Sequence, residues 1–243
     1  VNSSIPPVDA LLEAAVGEFN AGRAAHARRL CEQAVATFAA HPGVLQLLAT
    51  LCRHDGDMPA ARRHVQASLA LRPDHPPTLL LAGDLACQQG DWAGALAFHG
   101  RAVELLPDRP QAAFALAKTQ HAAGHPLAAR HTLERLLGLA PEHVQAWFLL
   151  GLVRQDLGDL PAAADAWRQV LRRLPQSNEA ELNLGIVLQE SGQLEQAMQA
   201  YARAYRLRPD CLGRIASALS SASQGCLWLV PDDLRRRLVE LAP

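Results

Sequence analysis

Apolar residues in this chain recur at the three- and four-residue spacing of a helix face, and glycine and proline interrupt them at regular intervals. In residues 178–211, Leu184, Ile186 and Leu188 precede a break at Gly192, and Ala197, Tyr201, Ala204 and Tyr205 follow it. That spacing predicts two amphipathic helices joined by a tight turn. The break repeats: Gly22, Gly56, Gly90, Gly124, Gly158 and Gly192 stand 34 residues apart. Alanine follows five residues after each glycine, at Ala27, Ala61, Ala95, Ala129, Ala163 and Ala197. Pro73, Pro107, Pro141, Pro175 and Pro209 stand seventeen residues after five of the glycines, with Ala39 at that place in the first period. A small residue precedes each glycine by seven: Ala15, Ala49, Gly83, Ala117, Gly151 and Gly185.

Each column has a physical reason. The glycine closes the first helix in the left-handed conformation that other residues resist. The small residue and the alanine let two helices approach closely. The proline cannot continue the second helix. Self-similarity at a fixed period of this length marks a repeat architecture. The fold class that follows is all-α, a solenoid of six helix-turn-helix units at 8–41, 42–75, 76–109, 110–143, 144–177 and 178–211, with residues 1–7 as a lead-in.

The end of a solenoid needs a cap. In 212–223, Ile215, Ala216 and Leu219 fit a capping helix. Pro231 opens another, with Asp232 and Asp233 in its first turn, where acids suit the helix dipole, and Leu234, Leu238 and Leu241 on one face. The expectation is that 212–243 covers the last unit. The alternative is that Leu227, Trp228 and Leu229 form an exposed docking patch.

The columns resemble the tetratricopeptide repeat (TPR) family. The match runs Trp147-x-x-Leu150-Gly151…Gly158…Ala163…Trp167…Pro175 in the fifth unit and Leu184-Gly185…Gly192…Ala197…Tyr201…Pro209 in the sixth. The resemblance implies a right-handed superhelix whose first helices line a concave groove. Carried over position by position, it places Arg53, His54, Leu80, Asp84, Phe114, Lys118, His121, Phe148, Leu152, Asn183, Ile186 and Gln189 on that groove. It therefore implies a protein or peptide ligand there, either an extended segment or a helix. Self-association through the same faces is the other interaction it implies. The column that holds a carboxylate clamp in chaperone-binding members reads Val16, Thr50, Asp84, Lys118, Leu152 and Ile186, and only Lys118 suits a carboxylate. The asparagine ladder of members attached to glycosyltransferases retains only Asn183. Glu18, His99, Arg154 and Glu181 depart from the family pattern, and solvent exposure or long stems covering apolar surface would account for them.

Composition narrows function mainly by exclusion. Strand formers are few, with three isoleucines and 5% aromatics. A net charge of −1, with Lys118 the only lysine and Arg235 to Arg237 the longest basic run, argues against nucleic-acid binding and a polybasic membrane patch. Apolar runs are far shorter than the ~20 residues of a membrane span. The start, Val1-Asn2-Ser3-Ser4, has neither the basic nor the apolar run of a secretory signal. A cytoplasmic location is expected, and the absent starting Met fits a processed or excised chain. No phosphate loop, dinucleotide fingerprint or nucleophile elbow appears. His121, His125 and His131 invite a metal, but Gly124 and Pro126 break the helix between the first two, so no metal or cofactor is expected. The five cysteines read as reduced thiols, with Cys31 and Cys52 in core positions; a Cys211–Cys226 disulfide is the alternative for that pair. The function expected is a non-catalytic interaction scaffold, and the alternative is a substrate-recruiting or regulatory domain of a larger enzyme such as a glycosyltransferase.

Overall fold

The computed structural model describes residues 7–38, 40–221 and 231–241. Most of the lead-in, Ala39, Cys226 and the Leu227-Trp228-Leu229 segment lie outside the described residues. Among the described residues the chain is all-α and has no strand. The six glycine breaks separate six helix pairs: α1 (Val8–Asn20) and α2 (Ala24–Thr37), α3 (Pro42–His54) and α4 (Met58–Leu71), α5 (Pro76–Gln88) and α6 (Trp92–Leu105), α7 (Pro110–Ala122) and α8 (Pro126–Leu139), α9 (Val144–Asp156) and α10 (Leu160–Arg173), α11 (Asn178–Glu190) and α12 (Leu194–Leu207). A 3-10 turn, Pro209–Cys211, leads to α13 (Leu212–Ser221), and α14 (Pro231–Leu241) completes the set.

The turn works as the sequence predicts. All six glycines have φ between 74° and 83°. At Gly158 the backbone N–H donates to the Gln155 carbonyl at 2.9 Å, and the Asp159 N–H reaches back to Arg154 at 2.9 Å, which satisfies the last carbonyls of α9. The residue after the glycine then starts the second helix. Asp57, Asp91 and Asp159 each accept a hydrogen bond from the backbone N–H three residues on, the usual N-cap bond. At the other end α4, α6, α8, α10 and α12 each stop two residues before the predicted proline.

The chain forms two compact units, one ending at Thr119 and one beginning at Gln120. In the first, α1 to α6 pack in sequence, each helix on the next. In the second, α8 to α12 do the same, α13 lies against α11, and α14 against α12. Ile215 and Leu219 of α13 and Leu234 and Leu238 of α14 are at most 1% exposed. The core of α9 to α12 is thus continued by both terminal helices.

In the hairpins that lie within one unit the small-residue column faces a second column, Cys31, Val65, His99, Trp167 and Tyr201. The two match in size. Gly83 lies under the His99 ring, Gly151 under Trp167 and Gly185 under Tyr201; a Cβ at these glycines would stand 2.3, 2.7 and 2.5 Å from the ring atoms. Where the second column is Cys31 or Val65, the first carries Ala15 or Ala49, in the same core cluster.

His99 is also the centre of a buried polar network rather than a solvent-exposed departure. Its side chain is fully buried. Nδ1 lies 2.8 Å from the Thr119 hydroxyl, and Nε2 lies 3.2 Å from the Leu80 carbonyl and 3.8 Å from Asp84. Cys87 Sγ is 3.4 Å from the same hydroxyl. The Thr119 hydroxyl also lies 3.0 Å from the Ala115 carbonyl, so its single hydrogen is shared between that carbonyl and the ring, and a neutral ring with its proton on Nε2 donates to Leu80. Burial holds the His99 pKa below the ordinary histidine value.

Three predictions follow from this packing. Gly158→Val places a β-branched residue at φ +74° and should cost about 1–2 kcal/mol or more; an unchanged thermal midpoint would contradict the turn assignment. Gly185→Ala should cost roughly 1–3 kcal/mol through overpacking against Tyr201. Combined with Tyr201→Leu it should cost less than the sum of the two single changes, and strict additivity in denaturant unfolding would refute the size matching. Because folding depresses the His99 pKa, the unfolded chain binds the extra proton. Stability is therefore complete above about pH 6.5 and falls as pH drops toward the depressed folded value. His64 and His75, both shifted down by burial, add with the same sign. His99→Phe should flatten part of the decline in melting temperature between about pH 7 and 5, and an unaltered decline would exclude His99 as a contributor.

Candidate interaction face

The first helices of successive hairpins carry the residues that the repeat pattern assigns to a groove. In the first unit these are α3, α5 and the part of α7 up to Thr119. Arg53 and Asp84 do not stand as independent ligands there: the Arg53 guanidinium donates to Asp84 Oδ2 at 2.9 Å. Asp84 thereby links the face to the buried His99. Leu80 and Phe114 are half-buried, while His54 and Lys118 are exposed. The His54 ring lies edge-on to Phe19 and 3.2 Å from the Asp55 carboxylate. Arg28 and His54 together hold the Asp55 carboxyl below the usual range.

In the second unit the face is built by the end of α7, by α9 and by α11. His121 is paired with Asp156, Nε2 to Oδ2 at 2.6 Å, so this histidine serves α9 rather than a metal cluster. Among the described residues no group of three or more His, Cys, Asp or Glu could hold a metal ion. Phe148 is half-buried, and its ring meets Trp167 edge to face with centroids 4.8 Å apart. Phe148 is thus part packing and part surface. Leu152, Asn183 and Ile186 are half-buried and continue the same face.

Gln189 is more deeply buried than these neighbours on the face. The structure places it in the core, 1% exposed. Its amide donates to the Ala218 carbonyl at 2.9 Å and accepts from the Tyr201 hydroxyl at 2.8 Å. A buried tyrosine needs a hydrogen-bond partner for its hydroxyl, and the cap helix needs an anchor, and Gln189 supplies both. Burial of Tyr201 pushes its hydroxyl pKa up. Leu182, which shares the face by position, is likewise fully buried.

Between α11 and α13 a cleft of ≈ 430 Å³ opens, with Leu182, Ile186, Gln189 and Glu190 on one side and Gly213, Arg214, Ser217 and Ala218 on the other. Repeat spacing could not show this feature, because α13 lies outside the 34-residue register. The volume lies within the range of small-ligand and side-chain sites, roughly 300–1,000 Å³. Cys31, Cys52, Cys87 and Cys211 are free thiols; burial raises the Cys31 pKa to about 11, which leaves it protonated and unreactive. No described helix is long and apolar enough to cross a membrane.

Comparison with known proteins accords with this geometry. Two tetratricopeptide repeat family models match, one at residues 86–152 and one at 151–210. Among solved structures, PilF of Pseudomonas aeruginosa is 17% identical, with 83% of this chain and 92% of that one covered at a TM-score of 0.72. YrrB, a TPR protein with an unusual peptide-binding site, is 18% identical, with 74% and 93% covered and a TM-score of 0.65. MamA is 22% identical, with 67% and 95% covered and a TM-score of 0.64. At these identities the likeness concerns the fold. No curated protein sequence matches the chain. The two family matches together span just over half of the chain, and with the six glycine-closed hairpins they establish it as a member of the tetratricopeptide repeat family.

Proposed function

We propose that the chain is a non-catalytic protein-interaction scaffold that holds a peptide segment or helix against the first-helix face of its second unit. The observation that carries this reading is the cleft between α11 and α13, which continues a half-buried apolar surface made by Phe148, Leu152 and Ile186. A ligand's apolar side chain that covers such a surface removes it from water, and that burial returns about 25 cal/mol per Å². Arg214, Glu190 and Ser217 at the rim supply directional contacts that fix orientation. YrrB, which has the same fold, is described as carrying a peptide-binding site. The charged residues elsewhere on the first-helix faces support a structural rather than chemical use, since Arg53 is paired with Asp84 and His121 with Asp156.

Ser217→Arg, at an exposed α13 position, and Ile186→Glu should each reduce capture of the native partner at least tenfold, with far-UV circular dichroism and melting temperature close to wild type. Binding that is unchanged in both well-folded variants would overturn the site.

A further inference from the structure

A second cleft, of ≈ 470 Å³, lies between the second helices α10 and α12, with Arg168, Leu171, Arg172, Leu184 and Arg203 around it. α11 packs against both α10 and α12, and its Leu184, 4% exposed, forms the floor. Three arginines therefore surround an apolar base.

One of these arginines is fixed by an unusual device. The 34-residue column containing Glu181 reads Leu11, Leu45, Leu79, Ala113, Trp147 and then Glu181. Glu181 is 6% exposed. Its Oε1 accepts from Arg203 Nε at 2.7 Å, and its Oε2 is buried without a partner. An apolar residue would suit this position at least as well, because a buried ion pair seldom outperforms well-packed hydrophobic groups. What the carboxylate adds is placement: it holds the Arg203 guanidinium at the lip of the cleft with its terminal nitrogens free of Glu181. Arg168 donates one nitrogen to Asp165 at 2.9 Å, while Arg172 is exposed and makes no such bond among the described residues.

We infer that this cleft is a docking site for an acidic segment of a partner protein, with Asp or Glu side chains flanking an apolar residue. The carboxylates would pair with Arg168, Arg172 and Arg203, whose planar donors suit them, and the apolar residue would sit on Leu171 and Leu184. Glu181 acts as a positioning residue. This site is separate from the α11–α13 cleft and does not depend on the function proposed for it.

Fluorescence anisotropy of the full chain with a labelled Glu-Leu-Glu-Glu-Leu-Glu peptide, and with its Lys-for-Glu counterpart, tests the inference. The acidic peptide should bind, weaken steeply between about 0.05 and 0.5 M salt, and lose at least tenfold in affinity in Arg172→Glu. Glu181→Leu should keep or raise the melting temperature while weakening the peptide several-fold, a split that a purely structural role for Glu181 would not produce. Ile186→Glu, on the other cleft, should leave this binding unchanged. Equal binding of the two peptides, no effect of Arg172→Glu, loss of binding in Ile186→Glu, or displacement by millimolar inorganic phosphate without any dependence on the leucines would each overturn the assignment.

Discussion

Every hairpin of this chain depends on how closely its two helices can approach seven residues before the turn. That distance is set sterically, by the fit of one side chain against its partner across the hairpin. Glycine appears where the partner is a ring, at Gly83, Gly151 and Gly185, and alanine where it is Cys31 or Val65. Interiors pack at crystal-like density, so a misfit of one methyl group is felt. The turn glycines depend on the same approach, because helices held further apart would not be joined by the two residues between Asp156 and the Asp159 cap. Their positive φ closes the loop, and the matched columns decide the crossing.

On that frame the chain places polar groups where repeat logic calls for apolar ones, and each is given a partner. His99 replaces a larger ring but engages Thr119, Leu80 and Asp84. Arg154 keeps its stem half-buried and donates to the Ala162 carbonyl and to Glu134. Gln189 links Tyr201 to α13, and Glu181 fixes Arg203. A satisfied buried network rigidifies its surroundings, and a partly satisfied one is costly. Among the described residues the buried atoms left without a partner are His41 Nδ1, Arg154 Nε, Trp167 Nε1 and Glu181 Oε2, three of them in the fifth and sixth hairpins, which also hold the two largest core rings. Ring packing is thus concentrated in the hairpins that line the two clefts of the second unit.

The parts legible in the sequence were those whose cause is local. A left-handed turn needs glycine at one position, and a helix stops before proline, so the six breaks could be read directly. The assignment of residues to the faces of the first helices came from the family resemblance; Leu152 and Ile186 are half-buried and Lys118 is exposed. The burial of Gln189 was not legible, because it depends on Tyr201 twelve residues on and on α13, which has no counterpart in the repeat. The available signal was the need of a buried tyrosine hydroxyl for an acceptor. For Glu181 and His99 the sequence suggests solvent exposure or a long stem over apolar surface, because a charge or an imidazole at a core position is ordinarily solvated. Their partners, Arg203 and Thr119, stand twenty or more residues away and are not implied by spacing.

Both clefts of the second unit share α11 as a wall. Ile186 and Gln189 turn toward α13, while Leu184 and Glu181 turn toward α10 and α12. Nine of the thirteen residues of α11 are buried, more than its own hairpin contact requires, since it is covered from two sides. It is held to α12 at three separated points, Asn178 to the Ala204 carbonyl, Glu181 to Arg203 and Gln189 to Tyr201. A helix fixed in this way cannot tilt to widen one cleft without straining these bonds, so the clefts exist before any ligand arrives. Preformed sites avoid the ordering cost that weakens binding by flexible surfaces. Gln189 and Glu181, the polar residues buried on its two sides, thus keep the walls that α11 gives to both clefts in place.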